Sequence, residues 1–190
     1  ERLDADYVDL LLIHQPAGDY IAGYKALEKA VKEGKAKSIG LSNCEGEPLE
    51  KIMEIAEIKP AVIQVEAHPY FPQNELKERI AKDDIHIQAW YPLGHGDKSL
   101  QEEKVFTDLA AKYSKSTAQI ILRWHVQSGN IVIPGSTNPD HIRDNADIFD
   151  FTLTDEEMAA IKAVDKNTRY YTPDPAMVAS YATMDIAPVL

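Results

Sequence analysis

The sequence predicts an α/β protein, a partial (β/α)8 barrel of the TIM type with about five parallel strands and surrounding helices. Three observations carry this. Short apolar runs alternate with amphipathic helical stretches, and alternating βα units imply a parallel sheet with right-handed crossovers. The runs end on polar or aromatic groups at His14, Ser42, Gln64 and Trp90, at spacings of 22 to 28 residues. That pattern suits a barrel, in which every βα-loop faces one shared pocket. A doubly wound nucleotide-binding sheet would want G-x-G-x-x-G after its first strand, and Gly94-His95-Gly96 lacks the third glycine.

The first strand lies in Tyr7–Pro16 (YVDLLLIHQP). The run Asp9 to Ile13 is too short for a helix and is bounded by Pro16, as expected of a strand buried on both faces. It ends on His14, and a titratable group at the carboxyl end of a parallel strand is where α/β architectures place chemistry. The plain alternative is a core histidine bonded to a neighbouring carbonyl. Asp19 to Lys32 then put Ile21, Tyr24, Leu27, Ala30 and Val31 on one helical face, stopped by Gly34. A strand over 36–41 runs into Ser42 and Asn43, and Pro48 suits the first turn of a helix with Leu49, Ile52, Met53, Ile55 and Ala56 on its apolar face. A third strand spans 61–66, a helix 74–82 and a fourth strand 85–90. Helices follow over about 102–113 and 117–127, with Ser116 and Gln119 forming a capping box. A fifth strand, 131–134, feeds GSTNPDH, where Asn138 caps and Pro139 opens another helix. Thr154 and Glu157 cap a last helix to about Val164.

One domain is expected over 1–190, with 165–190 an irregular C-terminal segment. A complete barrel takes eight strands and about 250 residues. Five units leave two parallel edges unpaired, and the three absent units all fall before Glu1. A preceding segment or a homo-oligomer would cover those edges.

Thirty-one acidic against twenty basic residues give a net charge of −11. This argues against nucleic acid or an anionic membrane as partner. Cys44 is the single cysteine, so no disulfide framework or zinc ribbon can form, and a reducing, cytoplasmic setting fits best. No apolar run approaches the length of a membrane span. Glu66 and His68 share one strand face but lack a third ligand at sensible spacing, so hydrogen bonding is expected of them rather than metal. The stretch GLSNC resembles a hydrolase nucleophile elbow, but Cys44 stands where the tight turn needs a second glycine. Cys44 reads as a small buried apolar group.

Five motifs in order, DLLLIHQP, GLSN, QVEAHPYFPQNEL, AWYPLG and IPGSTNPDHIRDN, resemble the aldo-keto reductase family over nearly the whole chain. That family comprises NAD(P)H-dependent (β/α)8 reductases of aldehydes and ketones. The resemblance implies that His14 hydrogen-bonds the substrate carbonyl and that Ser42, Asn43 and Gln64 hold the nicotinamide carboxamide. Asn and Gln offer both the donor and the acceptor an amide needs. It places Trp90 on the nicotinamide ring, where the family usually has tyrosine, and Leu93 on the pyrophosphate loop. Tyr91 takes a position commonly held by serine. Ser136 and Thr137 precede a helix N-terminus, a physically sensible anion site, and Asp144 with Asn145 match the adenine-binding pair. NADPH-preferring members usually carry lysine at the position of Gly135 and arginine at that of His141. Without those cations the 2′-phosphate grip should weaken, so NADH use or relaxed NADH/NADPH choice is expected.

The family's catalytic tyrosine, lysine and aspartate lie on the three units this chain does not contain. Two functions therefore stand side by side. One is a carbonyl oxidoreductase acting on a small-molecule substrate, with Tyr170, Tyr171 and Tyr181 near its opening. The other is a catalytically incomplete partial barrel that binds a nucleotide or serves as an interaction module, its exposed edges the contact surface.

Overall fold

The computed structural model describes residues 5–184. Five strands form one sheet in the order β1 (Val8–Ile13), β2 (Ala36–Ser42), β3 (Val62–Glu66), β4 (His86–Trp90) and β5 (Ile131–Val132). The helices are α1 (Tyr20–Lys32), α2 (Glu47–Ile55), α3 (Asn74–Ile80), α4 (Lys98–Gln101), α5 (Lys104–Tyr113), α6 (Thr117–Gln127), α7 (Pro139–Ala146), α8 (Asp155–Lys162) and α9 (Pro175–Ser180). Strand order follows chain order, with at least one helix between each strand and the next, as βα-barrel units require. Contacts gather into two compact units. The first is residues 1–64, 80–85 and 172–190; the second is 65–79 and 86–171. The physical reason lies in α5, α6 and α8, which pack into a hydrophobic cluster of their own within the second unit.

In the first unit, β1 and β2 are parallel with Leu12 opposite Gly40, and β2 and β3 are parallel with Ser42 opposite Gln64. Gly40 allows the close approach: a Cβ there would lie 2.5 Å from Leu12 Cδ2 and 2.7 Å from the Val62 carbonyl oxygen. Asp19 Oδ1 accepts from Ala22 N at 2.9 Å and starts α1. Gly34, at φ +73°, ends it in a Schellman turn, with Lys35 N donating to Ala30 O and Gly34 N to Val31 O. Tyr24, Leu49, Ile52, Ile39, Leu41 and Ile63 are buried in its core. Glu28 is buried with them, its Oε1 accepting from the backbone N–H groups of Glu57 and Ile58 at 2.7 and 2.9 Å. Burial would raise the Glu28 pKa, but these donors and Lys25 outweigh it and hold it below the usual range.

Two expectations are corrected here. β1 is half-buried rather than covered on both faces, because it pairs with β2 alone among the described residues. The segment expected to be irregular carries α9, begun by Asp174 accepting from Ala176 N with Pro175 at the first turn, and then a 3-10 turn, Tyr181–Thr183. Its remainder, 185–190, lies outside the described residues, as do residues 1–4. The helix expected over about 102–113 forms as α5, beginning two residues later, and a short helix not expected from the sequence, α4, precedes it from the Asp97 cap, with Glu103 extended between the two.

In the second unit, Leu100, Phe106, Leu109, Ile120, Ile121, Trp124, Leu153 and Ile161 form the cluster among α4, α5, α6 and α8. Both predicted capping boxes form, at Ser116–Gln119 and Thr154–Glu157. β5 is shorter than expected, only Ile131–Val132, and pairs with β4 through Gln88 and Ala89. Among the described residues no helix is long and apolar enough to cross a membrane.

Candidate cofactor and active site

At the carboxyl ends of β2 and β3, Ser42 and Gln64 are register partners, with Ser42 Oγ 3.4 Å from Gln64 Oε1. The next backbone group, Asn43 N–H, donates to Gln64 O at 2.9 Å. Asn43 has φ +53°, a conformation asparagine tolerates better than most residues. One hydroxyl and two carboxamides are thereby gathered at adjacent strand ends, a set able to pair with both halves of a primary amide. Cys44, beside them, is buried, and burial pushes its thiol up to about 12, so it is no nucleophile. His14 follows β1 and is exposed.

The second unit holds a pocket of about 290 Å³. Leu93, Ser136, His141, Asp144 and Asn145, all singled out from the sequence, line it together with Gly135. Ser136 Oγ accepts from Asn138 N at 3.1 Å and lies 3.5 Å from His141 Nδ1, tying the loop to the first turn of α7. Thr137 is exposed and is not part of this lining. Gln101, Ser116, Thr117 and Ala118 also line it and were missed. Ser116 caps α6, and the start of that helix meets the pocket at Ser116, Thr117 and Ala118. No lysine or arginine is among these lining residues.

Trp90 and Tyr91 do not line that pocket. They begin an aromatic row at the end of β4: Tyr171 meets Trp90 at 5.9 Å, Trp90 meets Tyr91 edge-on at 4.5 Å, and Tyr91 stacks on His95 at 4.0 Å. Tyr91 has φ +53°, in the left-handed region. Glu66 and His68 are fully buried and hydrogen-bonded, Glu66 Oε1 to His68 Nε2 at 3.1 Å. Among the described residues no group of three or more His, Cys, Asp or Glu could hold a metal. His125 is buried, set between Pro92 O at 3.1 Å and Asn130 Nδ2 at 3.0 Å.

Fold and strand ends define a chain of βα-barrel type, with Ser42, Asn43 and Gln64 at adjacent strand ends in one unit and, in the other, a pocket whose lining includes Asp144 but no lysine or arginine. It belongs to the aldo/keto reductase family, whose sequence profile matches residues 1–166. It is 46% identical over 170 residues to a glyoxal reductase of Bacillus subtilis, covering 89% of this chain and 61% of that protein. An aldo-keto reductase of Mycobacterium sp. (strain MCS) is 46% identical over 178 residues, at 92% and 62% coverage. Among solved structures, the Bombyx mori aldo-keto reductase in complex with NADP matches with TM-score 0.81 at 34% identity, covering 90% of this chain and 62% of that one. A substituted Gox0644 in complex with NADPH matches with TM-score 0.80 at 40% identity, with 88% and 62% covered. The chain thus spans about 62% of the length of the relatives it matches, and its five-stranded sheet is part of a (β/α)8 barrel.

Proposed function

We propose that this chain is the cofactor-holding part of an NAD(P)H-dependent reductase that converts aldehydes or ketones to alcohols. The observation that carries the reading is the cluster of Ser42, Asn43 and Gln64 at adjacent strand ends, in a chain of the aldo/keto reductase family. These three would hold the nicotinamide carboxamide, and Trp90, flanked by Tyr91, would offer its face to the ring. Leu93 and Ser136 would border the phosphates, with Thr137 beside them, and Asp144 and Asn145 the adenine. The bound cofactor supplies the hydride. His14 would donate an imidazole N–H to the substrate carbonyl oxygen, orienting it and drawing charge toward that oxygen. Glyoxal and related small aldehydes are the first substrates to try, given the B. subtilis relative.

Gly135 and His141 favour NADH use or a relaxed choice, since neither supplies the fixed cation that grips a 2′-phosphate. NADPH in the Gox0644 complex and NADP in the Bombyx mori complex support a nicotinamide dinucleotide as such. The segment up to Tyr171 would border the substrate opening.

The test is cofactor oxidation, followed by loss of nicotinamide absorbance with glyoxal and a panel of aldehydes, together with a binding titration of NADH and NADPH. Turnover supports the reductase. Binding without turnover supports the second reading, a nucleotide-binding module. Neither binding nor turnover overturns both.

A further inference from the structure

The buried carboxylate of Glu66 does something that neither the sheet nor the cofactor residues require. It is the last residue of β3 and is fully buried, and its two oxygens take two successive backbone N–H groups of a distant segment. Oε1 accepts from Tyr170 N at 2.5 Å and Oε2 from Tyr171 N at 3.2 Å. His68 Nε2 holds Oε1 from the other side at 3.1 Å, and Gln73 Nε2 donates to the Glu66 carbonyl at 2.9 Å. An ionised carboxylate only accepts, so His68 carries its hydrogen on Nε2. His68 Nδ1 has no hydrogen-bond partner among the described residues. Burial alone would raise the Glu66 pKa, but the His68 and tail N–H donors outweigh it and keep it below the usual range.

Two oxygens on two adjacent N–H groups fix the direction of a chain as well as its position. The neighbouring side chains then go to different places. Tyr170 lays its ring 4.6 Å from that of His68 and donates its hydroxyl to Asp97 at 2.7 Å. Tyr171 sends its ring to Trp90, 5.9 Å away and at 69°. The segment has a second attachment, Lys166 N and Thr168 N on the Tyr70 carbonyl, but that lies three to five residues upstream of Tyr171. A buried charge is a poor choice for stability alone, because an apolar residue of like volume often does as well. Its advantage here is directional.

We propose that Glu66, steadied by His68, is a positioning residue that sets the Tyr171 ring against Trp90 and so fixes one wall of the carbonyl-substrate opening. This rests on the reductase reading above. It adds a specificity-determining pair, Glu66 and Tyr171, that acts on substrate fit and not on the hydride step.

The test compares amide hydrogen exchange and steady-state kinetics of the intact protein with Glu66→Ala, Glu66→Gln and Tyr171→Ala. Glu66→Ala should lose exchange protection at Tyr170 and Tyr171 and raise KM for benzaldehyde about tenfold, with kcat and NADPH affinity within about twofold. Glu66→Gln keeps an acceptor and should fall between Glu66→Ala and the parent, which a generic loss of folding would not reproduce. Tyr171→Ala should show the same KM rise with the Tyr170 amide still protected, and it decides the matter if Glu66→Ala fails to fold. Unchanged exchange at Tyr171 in the Glu66 variants overturns the anchor. Faster exchange with unchanged KM reduces Glu66 to a structural residue and overturns the proposal. A parent protein that reduces no carbonyl overturns the substrate half together with the function it rests on, whereas the anchor stands or falls on the Tyr171 amide alone.

Discussion

Ser42 and Gln64 face each other across the β2–β3 register, with Ser42 Oγ 3.4 Å from Gln64 Oε1. The pairing fixes where the Gln64 carboxamide sits, and Asn43 N–H on the Gln64 carbonyl fixes the strand ends beneath it. If this cluster holds the nicotinamide carboxamide, Gln64→Ala removes a donor and an acceptor from it. Loss of one or two neutral hydrogen bonds costs about 1–2 kcal/mol, so NADPH affinity should fall about tenfold, while the fold survives. A fluorescence titration of the cofactor measures this. Unaltered affinity would place the nicotinamide elsewhere.

The pocket beneath Gly135 and His141 makes a separate prediction. A Cβ at Gly135 meets nothing within 4 Å, so a long side chain can be accommodated there. Gly135→Lys with His141→Arg puts two cations where the lining now has none. Charge-assisted bonds to a phosphate are worth about 1.5–3 kcal/mol. The double variant should shift the NADPH-over-NADH ratio of kcat/KM at least about tenfold toward NADPH, with NADH kinetics little changed. An unshifted ratio would show that the 2′-phosphate does not reach this wall.

Much of this was legible in the sequence because local rules wrote it. The caps at Ser116, Asn138 and Thr154 all form, and strands ending on Ser42 and Trp90 were placed within a residue or two. What stayed hidden depends on distant partners. Nothing local marks Glu28 and Glu66 as carboxylates that each hold two consecutive backbone N–H groups, because the donors lie 29 and 104 residues away or more. The short helix α4 was not expected, and Glu103, which separates it from α5 on an extended backbone, takes hydrogen bonds from Tyr70 and Lys166, far away in sequence. The burial of β1 was overstated because an apolar run reads alike at the centre and at the edge of a sheet. Gln101, Thr117 and Ala118 line the pocket by position alone, and their residue types carry no chemical signal.

Gly40 was legible only as part of GLSN, yet its lack of a side chain sets the spacing of three strands. A methyl there would lie 2.5 Å from Leu12 Cδ2 and 2.7 Å from both Val62 Cγ2 and the Val62 carbonyl oxygen. A side chain can rotate away, but a backbone carbonyl held in a ladder cannot. Gly40→Ala should therefore cost about 3 kcal/mol and weaken cofactor binding by disturbing the Ser42–Gln64 register two residues on. Gly135→Ala, with open space around it, should be nearly neutral. Urea unfolding of the two variants measures the contrast, and equal stabilities would refute the steric reading of β2.

His125 makes stability depend on pH in a defined window. It is fully buried at the end of α6, where Gly129, at φ +77°, closes the helix and Asn130 turns back so that its Nδ2 donates to His125 Nδ1. The ring's Nε2–H donates to Pro92 O at 3.1 Å, so both nitrogens are satisfied by the neutral form. Burial, with lesser repulsion from Lys77 and His68, pushes its pKa down to about 3 against the pull of the Pro92 carbonyl. The unfolded chain titrates near the ordinary histidine value of about 6.5. Between these values the unfolded state binds the extra proton, so this contribution is complete above about pH 6.5 and is lost as pH falls toward 3. Between pH 6.5 and 5 the loss is about 1.5 kcal/mol, before the carboxylates in their lower range contribute much. Urea midpoints for the parent protein should fall across that interval. His125→Gln should be less stable at neutral pH but lose about 1.5 kcal/mol less on acidification. Parallel pH profiles for the two proteins would mean that His125 already titrates in the fold as it does in the unfolded chain.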